Sequence, residues 1–398
     1  MSSHSIVHPR RRRAGLNMQA ALATGAFALG VLCAVPVSAQ DAASPAPKEP
    51  QVKEDMMLKA EKDLSYGSDT SFLTWHGYLS MEGYKAQNKI GVFDLHEFYL
   101  SAKAQVSNKV SVTGEFEYEH APQEFILPIQ AYIDYAASPA FVVRAGEFFA
   151  PIGLPRTYTL RGNKNRLVRQ VALTHDLMFE NFVVTGVNVF GQFKNGFFYD
   201  TSVNNGMPNT MGTGDSAVDA VKELETHGDI NNNKAVMGRF GYARSNDSGD
   251  LNVATSFSTE KYDPEETRQM NFAGVDARYQ HRSGFRFQGE YMNRSGDDNP
   301  VDLENGIAAD AYGWVAQFSK RTLFGTDGKS YWEPVFQVDA IDLNKHTDTN
   351  KDLLTTAVGF NISPEHHFLL KSEYDFVKEV HGTPLKNNKL WFGLIAEF

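Results

Sequence analysis

The chain of 398 residues has one cysteine, Cys33, and after residue 40 no apolar run is long enough for a membrane-crossing helix. A single cysteine excludes an internal disulfide, and no His/Cys cluster has the spacing of zinc ligands. Acidic residues outnumber basic ones, 48 to 38, and the formal net charge of −10 argues against a nucleic-acid partner. No Ser-His pair with a polar third residue stands at a convincing spacing. These absences predict a protein that is not an enzyme and has no cofactor.

The N-terminal segment has the three parts of a secretory signal. Arg10 to Arg13 supply four positive charges, an apolar stretch follows over about 20–35, and Val37-Ser38-Ala39 offers a small-residue cleavage site. The stretch is short for a membrane span, which needs about 20 residues. We therefore expect residues 1–39 to be a cleaved signal peptide. Its four arginines and no acid would leave a mature chain of net charge −10 − 4 = −14.

Apolar and polar residues alternate with a period of two from about Phe72 onward, which is typical of β-strands. The segment 109–119 reads KVSVTGEFEYE, so that Val, Val, Phe and Tyr alternate with Ser, Thr and three Glu. Strands are predicted at 72–85, 92–106, 109–119, 128–136, 140–148, 180–193, 196–203, 234–244, 250–260, 269–281, 284–293, 309–320, 330–341, 351–361, 366–377 and 388–398. Charged faces of this kind cannot all lie in a packed core, but they can line a water-filled lumen.

The final segment, 390–398, reads LWFGLIAEF and places its apolar face on an alternating strand that ends at Phe398. Such an edge would be sticky unless it paired with the first strand, and a terminal Phe resembles the recognition signal of outer-membrane proteins. We therefore predict an all-β fold, a transmembrane 16-stranded antiparallel β-barrel over 71–398. Residues 40–70, rich in Ala and Pro with a helical stretch at 52–63, are predicted to be a periplasmic linker or short helix. The alternative is a soluble β-sandwich or propeller.

Short and long connections alternate between the predicted strands. Turns such as Ser107-Asn108 and Lys194-Asn195 alternate with longer loops, of which 149–179 and 204–233 are the longest. In bacterial barrels the short turns are periplasmic and the long loops face the outside.

The 149–179 loop, the third long loop, is strongly basic, because no acid lies between Glu147 and Asp176. A ring of Arg or Lys at a constriction selects anions, and Arg matches the oxygens of phosphate and carboxylate. The candidate anion pathway comprises Arg156, Arg161, Lys164, Arg166 and Arg169, with Arg144 inward-facing on the strand before the loop. Two alternatives stay open: these cations bind lipopolysaccharide phosphates, or they pair across the lumen with the inward acids Glu115, Glu117, Glu290 or Glu373 in a weakly selective pore.

Three stretches resemble the phosphate-selective porin O and P family. They are Gly77-Tyr78-Leu79, residues 93–100 (FDLHEFYL) and residues 144–154 (RAGEFFAPIGL), the last of which carries the family pattern R-x-G-x-F-x-x-P-x-G. The resemblance implies a homotrimeric porin of the Gram-negative outer membrane, in contact with lipopolysaccharide, for passive uptake of phosphate or other small anions. A weakly selective general-diffusion or dicarboxylate porin is the alternative, since some relatives carry dicarboxylates.

Overall fold

The computed structural model describes residues 72–119, 125–155, 167–168, 173–178, 182–207, 229–325, 328–348, 352–381 and 384–398. The predicted signal peptide 1–39 and the predicted periplasmic segment 40–70 lie outside these residues. Within the described ranges, no helix has the length and hydrophobicity that crossing a membrane requires.

The strands of the described residues form one antiparallel sheet. Their bounds are β1 Leu73–Ala86, β2 Val92–Gln105, β3 Val110–Glu119, β4 Phe125–Ser138, β5 Phe141–Phe149, β6 Val183–Gln192, β7 Phe197–Asn204, β8 Ala235–Ser245, β9 Gly249–Lys261, β10 Gln269–His281, β11 Phe285–Gly296, β12 Ala311–Lys320, β13 Thr322–Leu323, β14 Tyr331–Asp342, β15 Leu353–Glu365, β16 Phe368–Glu379 and β17 Lys389–Glu397. The two-residue β13 continues β12 beyond a break at Arg321, because both pair with β14. The sheet therefore has sixteen strand passages, and the predicted number is confirmed.

The sheet closes on itself through its first and last strands. β1 pairs with β2 on one side and with β17 on the other, where the register runs from Tyr78↔Glu397 to Ala86↔Lys389. Phe398 and Gly77 exchange two backbone hydrogen bonds of 2.9 Å each. The closed antiparallel β-barrel that the sequence predicted is therefore confirmed.

The two faces of the barrel follow the predicted alternation. On β3, the outward-facing Val112 and Phe116 are exposed, whereas Glu115 and Glu117 point inward and are buried. The same holds on β16, where Tyr374 is exposed while its neighbours in sequence on the opposite face are buried. An apolar outer surface and a polar inner surface suit a barrel that lipid surrounds.

One strand begins earlier than predicted. We expected β4 to start at residue 128, but it starts at Phe125 and includes Pro128. The register shifts between Glu115 and Phe116 of β3, which face Gln130 and Pro128. Proline has no N–H for a sheet hydrogen bond and is accommodated at such bulges, so the alternation is interrupted where the strand continues.

The two ends of the barrel differ. Connections such as 106–109, 139–140, 193–196 and 366–367 lie at the short-turn end, whereas 150–182 and 205–234 lie at the opposite, long-loop end. The predicted alternation of short and long connections is therefore confirmed. A short α-helix, Pro300–Glu304, lies in the connection between β11 and β12.

Candidate functional site

The third long loop enters the barrel directly after β5. Its residues 151–154 are buried, and the Gly153 N–H donates to Ser256 Oγ of β9 at 2.9 Å. The next N–H, of Leu154, donates to Glu290 Oε1 of β11 at 3.1 Å. Gly153 has a φ of 69°, and a Cβ there would collide with the Glu290 carboxylate. Glycine at this position therefore lets the loop approach the inward-facing wall of β9 and β11.

The middle of the loop contacts a different part of the wall. Leu167 and Val168 are buried, and the Val168 N–H donates to Glu373 Oε2 of β16 at 2.6 Å. The Leu167 side chain lies over Gly359 of β15, where a Cβ would collide with it, and Val168 lies over Gly393 of β17. Two inward-facing glycines thus leave the space that these apolar side chains fill.

The returning part of the loop forms a π-helical turn, Leu173–Leu177, that packs on β12. Leu173 and Leu177 are fully buried, and a Cβ on the inward-facing Gly313 would collide with Leu173. The buried Arg294 of β11 donates Nη1–H to the Leu177 carbonyl at 3.2 Å and Nη2–H to that of Ala308 at 2.9 Å. The described parts of the loop are thus held at points on β9, β11, β12 and β15 to β17, which places them in the lumen.

An apolar cluster surrounds these contacts on the inner face of the barrel. Phe148, Ile152 and Leu173 belong to it together with wall residues such as Phe272 and Met292. Burial of each such side chain contributes about 1.5–3 kcal/mol, so the cluster is a stronger attachment than the individual hydrogen bonds. The described segments of the loop are therefore part of the barrel interior.

The five predicted loop cations, Arg156, Arg161, Lys164, Arg166 and Arg169, lie outside the described residues. In the sequence they are interleaved with the described segments, since Arg156 follows Pro155 and Leu167–Val168 separates Arg166 from Arg169. The structure therefore shows where the residues next to these cations in sequence are attached to the barrel wall.

Arg144, the sixth predicted residue, faces inward as expected from β5. Its Nε and Nη2 donate to the two oxygens of Asp134 on β4, at 2.8 and 2.9 Å. Its guanidinium also stacks on Tyr132, 3.6 Å from the ring centroid. This bidentate pair offsets the charge of Arg144.

The inward acids that the sequence singled out have separate partners. Glu290 and Glu373 accept backbone N–H groups of the loop, whereas Glu115 accepts from the Gln130 side chain at 2.6 Å. Glu97, which the sequence analysis did not single out, accepts from the Tyr78 hydroxyl at 2.5 Å. Glu97, Glu115 and Glu117 together make the inner face of β2 and β3 acidic.

Sequence reasoning missed the arginines on the opposite wall. Arg239 of β8 forms a bidentate pair with Asp276 of β10, at 2.6 and 3.0 Å. Arg286 of β11 and Arg321 both approach Glu333 of β14, at 3.6 and 3.1 Å. For Arg239 and Arg286 the signal was the period-two pattern itself, because both occupy polar-face positions of their strands. Within the described ranges no group of three or more His, Cys, Asp or Glu is arranged to hold a metal ion.

Comparison with known protein families and structures supports the barrel architecture. The model of the family described as beta-barrel porin-2, OmpL-like, matches residues 113–392. No curated protein matches the chain.

Similar solved structures are outer-membrane barrels. The trimer form of OmpT from Vibrio cholerae shares 10% identity at a TM-score of 0.54 and covers 82% of this chain and 99% of its own. The channel DcaP of Acinetobacter baumannii has 10% identity, a TM-score of 0.56 and coverages of 82% and 97%. An anion-selective porin from Comamonas acidovorans has 10% identity, a TM-score of 0.55 and coverages of 82% and 99%. At these identities the likeness establishes the fold alone.

Proposed function

The chain belongs to the beta-barrel porin-2, OmpL-like family, and we propose that its third loop makes the lumen an anion-directing channel. As a porin of the outer membrane, the protein forms a channel for passive diffusion. The observation that carries the proposal is the attachment of the loop segments 151–154, 167–168 and 173–178 to lumen-facing residues. The five loop cations come between or beside these segments in a loop without acids before Asp176.

Loop placement changes how strongly such cations act on a solute. A loop inside the lumen displaces water and lowers the effective dielectric constant. Two unit charges about 4 Å apart then interact with roughly 4 kcal/mol, compared with about 1 kcal/mol in bulk water. Arginine also offers paired donors to the oxygens of an anion that loses part of its hydration. Several moderate sites, rather than one tight site, allow the anion to leave.

Arg144 has a smaller part in this proposal than the loop cations. Its bidentate pair with Asp134 offsets its charge, so it shapes the wall beneath the loop rather than adding net positive charge. We assign the anion preference to Arg156, Arg161, Lys164, Arg166 and Arg169.

The proposed solutes are small oxyanions, phosphate or a similar ion. Support comes from the resemblance of residues 144–154 to the phosphate-selective porin O and P family, although the matching family model is the OmpL-like one. A similar fold also occurs in an anion-selective porin.

A second candidate function is a weakly selective general-diffusion or dicarboxylate porin. The observation that favours it is the acidic inner face of β2 and β3, where Glu97, Glu115 and Glu117 are buried. Cations on the loop opposite such a wall would create a transverse field with little net preference.

We further propose that residues 1–39 are removed on export, that residues 40–70 stay in the periplasm and that the long-loop end faces outward and contacts lipopolysaccharide. A homotrimer is proposed from the family resemblance, and the similar OmpT barrel occurs in a trimer form.

The test is reversal of charge in the loop. The variant Arg161→Glu/Arg166→Glu/Arg169→Glu should shift the reversal potential in a salt gradient toward cation preference and abolish block of chloride current by phosphate. Single Arg→Lys variants should weaken the block while preserving most of the charge selectivity, because lysine lacks the paired donors.

A matched control reverses three exposed cations beside short turns, Lys109→Glu/Lys194→Glu/Arg244→Glu, and so changes the net charge by the same amount. The control should leave the reversal potential near that of the wild type. An unchanged reversal potential in the loop variant would favour the weakly selective porin.

A further inference from the structure

A half-open cleft lies in the inner wall of β1 to β4, toward the short-turn end of the barrel. Its volume of about 330 Å³ is at the lower end of the range for small-molecule sites. The cleft is therefore of a size for a small solute rather than for a large one. Most of its lining side chains are polar or charged, and the lining includes His76, Ser101, Lys103, Thr113, Glu115 and Tyr132. We call this site the β1–β4 cleft.

The register of the strands brings the lining side chains together in two neighbouring rows. Lys103 of β2 lies opposite Thr113 of β3, and Ser101 lies opposite Glu115 in the next row. Tyr132 of β4 lies opposite Thr113 on its other side. Diagonal neighbours on one face of a sheet are about 7–8 Å apart, so Lys103 and Glu115 are within reach of one small solute.

The cleft thus carries charges of both signs. An ammonium group has three donors and a carboxylate has about four acceptor positions, so Lys103 and Glu115 can each bind a solute in addition to their protein partners. Gln130 Nε2–H donates to Glu115 at 2.6 Å, and Ser101 donates to it over a longer distance of 3.5 Å. These two contacts orient the carboxylate and still leave acceptor positions for a ligand. The cleft therefore suits a ligand with one anionic and one cationic group.

One hydroxyl in the cleft has no partner. Thr113 is 5% exposed, and its Oγ1 has no hydrogen-bond partner among the residues that the structure describes. Leaving a buried hydroxyl without a partner costs free energy, and native proteins seldom do so. Since a hydroxyl can both donate and accept, Thr113 can bond either end of a ligand that enters the cleft.

The aromatic residue of the cleft argues against a sugar as the ligand. A sugar ring would need an open aromatic face on which to stack. Tyr132 is 5% exposed, and the guanidinium of Arg144 lies over its ring, 3.6 Å from the centroid. Arg144 is in turn bound by both oxygens of Asp134, so this pair adds no net charge beside the cleft.

We propose that the β1–β4 cleft binds a small zwitterion of the amino-acid class. The carboxylate of the ligand contacts Lys103, its ammonium group contacts Glu115, and the Thr113 hydroxyl bonds the bound carboxylate. The site goes beyond the proposed anion preference of the third loop, because it requires the diffusion channel but none of the loop cations. Solutes of this class should be retained briefly near the short-turn end of the pore.

The experiment measures block of the current through the full-length mature porin in planar bilayers by three compounds that share a carbon skeleton. The compound 3-aminopropionate carries both charges, whereas propionate carries only the carboxylate and propylamine carries only the ammonium group. In the wild type, 3-aminopropionate should reach half-maximal block at a concentration about tenfold or more below that of either analogue. The reason is that each analogue loses a hydrogen bond between charged groups, which contributes a factor of about that size.

Glu115→Gln and Lys103→Gln should each remove most of this advantage, and Thr113→Val should weaken the block by 3-aminopropionate about two- to tenfold. Asp339→Asn is the matched control. Asp339 of β14 is also a buried carboxylate that accepts from a glutamine, with a distance of 2.8 Å to Gln337 Nε2, but it does not line the cleft. This control should preserve the advantage. Heat-modifiable migration on gels confirms that each variant is a folded barrel.

Three results would overturn the inference. They are equal half-blocking concentrations for the three compounds in the wild type, an advantage that persists in the folded Glu115→Gln variant, and an equal loss of the advantage in Glu115→Gln and Asp339→Asn. Failure of the loop proposal would look different. In that case the triple loop reversal would leave the reversal potential unchanged, while 3-aminopropionate would still block more strongly than its analogues.

Discussion

Two contributions dominate the attachment of Leu167 and Val168 to the wall of β15 to β17, beside a long hydrogen bond of 3.4 Å from Lys371 Nζ to the Leu167 carbonyl. The Val168 N–H donates to the buried Glu373 carboxylate, a type of bond that contributes about 1.5–3 kcal/mol. The two aliphatic side chains, 1% and 7% exposed, contribute about 1.5–3 kcal/mol each on burial, or about 3–6 kcal/mol together. The apolar contact is therefore the larger contribution and should hold the segment when the hydrogen bond alone is lost.

We expect Glu373→Ala alone to leave the single-channel conductance near that of the wild type, with a modest increase in open-channel noise. Lys371 keeps the acidic side chains of Glu82 and Glu97 nearby in that variant. Leu167→Ala alone costs about 2–5 kcal/mol but leaves the hydrogen bond in place. The double variant loses the hydrogen bond and the Leu167 contact and keeps only the Val168 contact with Gly393 and the long bond from Lys371, so the segment should loosen and raise conductance and noise by more than the sum of the single effects.

Single-channel recording of the two single variants and the double variant tests this reasoning. Leu369→Ala is the matched control. Leu369 is a buried leucine on β16, the strand of Glu373, and it packs with Tyr78, Tyr99 and Ile395 in a separate cluster. The substitution should not alter the conductance. A folded double variant with wild-type conductance and noise would refute the claim that this segment borders the conducting path.

Arg294→Met leaves two carbonyl oxygens without their buried donor, at a cost of about 1–3 kcal/mol each, and should lower the temperature of the heat-modifiable gel transition. Arg294→Lys should give an intermediate temperature, and an unchanged temperature would contradict the role of Arg294. Burial raises the pKa of Asp263, but hydrogen bonds from Thr267 and its neighbour lower it overall. The ionised Asp263 therefore stabilises the β9–β10 loop fully above its unfolded pKa of about 3.9, and this stabilisation is lost as the pH falls through the lower folded pKa. Protection of the Thr267 amide from hydrogen exchange should be lost only in that acidic range. Acceleration already at pH near 6 would contradict this assignment. Deleting Phe398 removes two closing hydrogen bonds and should reduce barrel yield more than deleting 41–60 does; equal yields would argue against the closure.

The barrel could be predicted from the sequence because a local pattern encodes it. Alternation within 109–119 and 366–377 assigns each residue to a face, and the described strands end within a few residues of the predicted ones. Pro128 is an instructive exception, because a bulge restores the strand after the alternation breaks. Period two is a property of neighbours in sequence, so one chain suffices to detect it.

The site could be predicted only in part, because its geometry depends on pairs that are distant in sequence. That Arg144 faces inward follows from alternation, but its bond to Asp134 depends on the exact register of β4 and β5. Gly359 and Gly393 are ordinary strand glycines in the sequence, and nothing local indicates that Leu167 and Val168 fill the space above them. The roles of Glu290 and Glu373 as acceptors for loop N–H groups were hidden for the same reason.

The distant anchors of the third loop also constrain the order in which the protein folds. The bond from Leu154 to Glu290 joins residues 136 positions apart, and the bond from Val168 to Glu373 joins residues 205 positions apart. The loop therefore cannot dock fully until β16 is present, although it is synthesised far earlier. Contacts of such long sequence separation form slowly, so loop docking should be a late step that coincides with joining of the first and last strands. A biogenesis intermediate that lacks only the C-terminal strands should then present the loop in a protease-sensitive form, and sealing of the barrel should protect it.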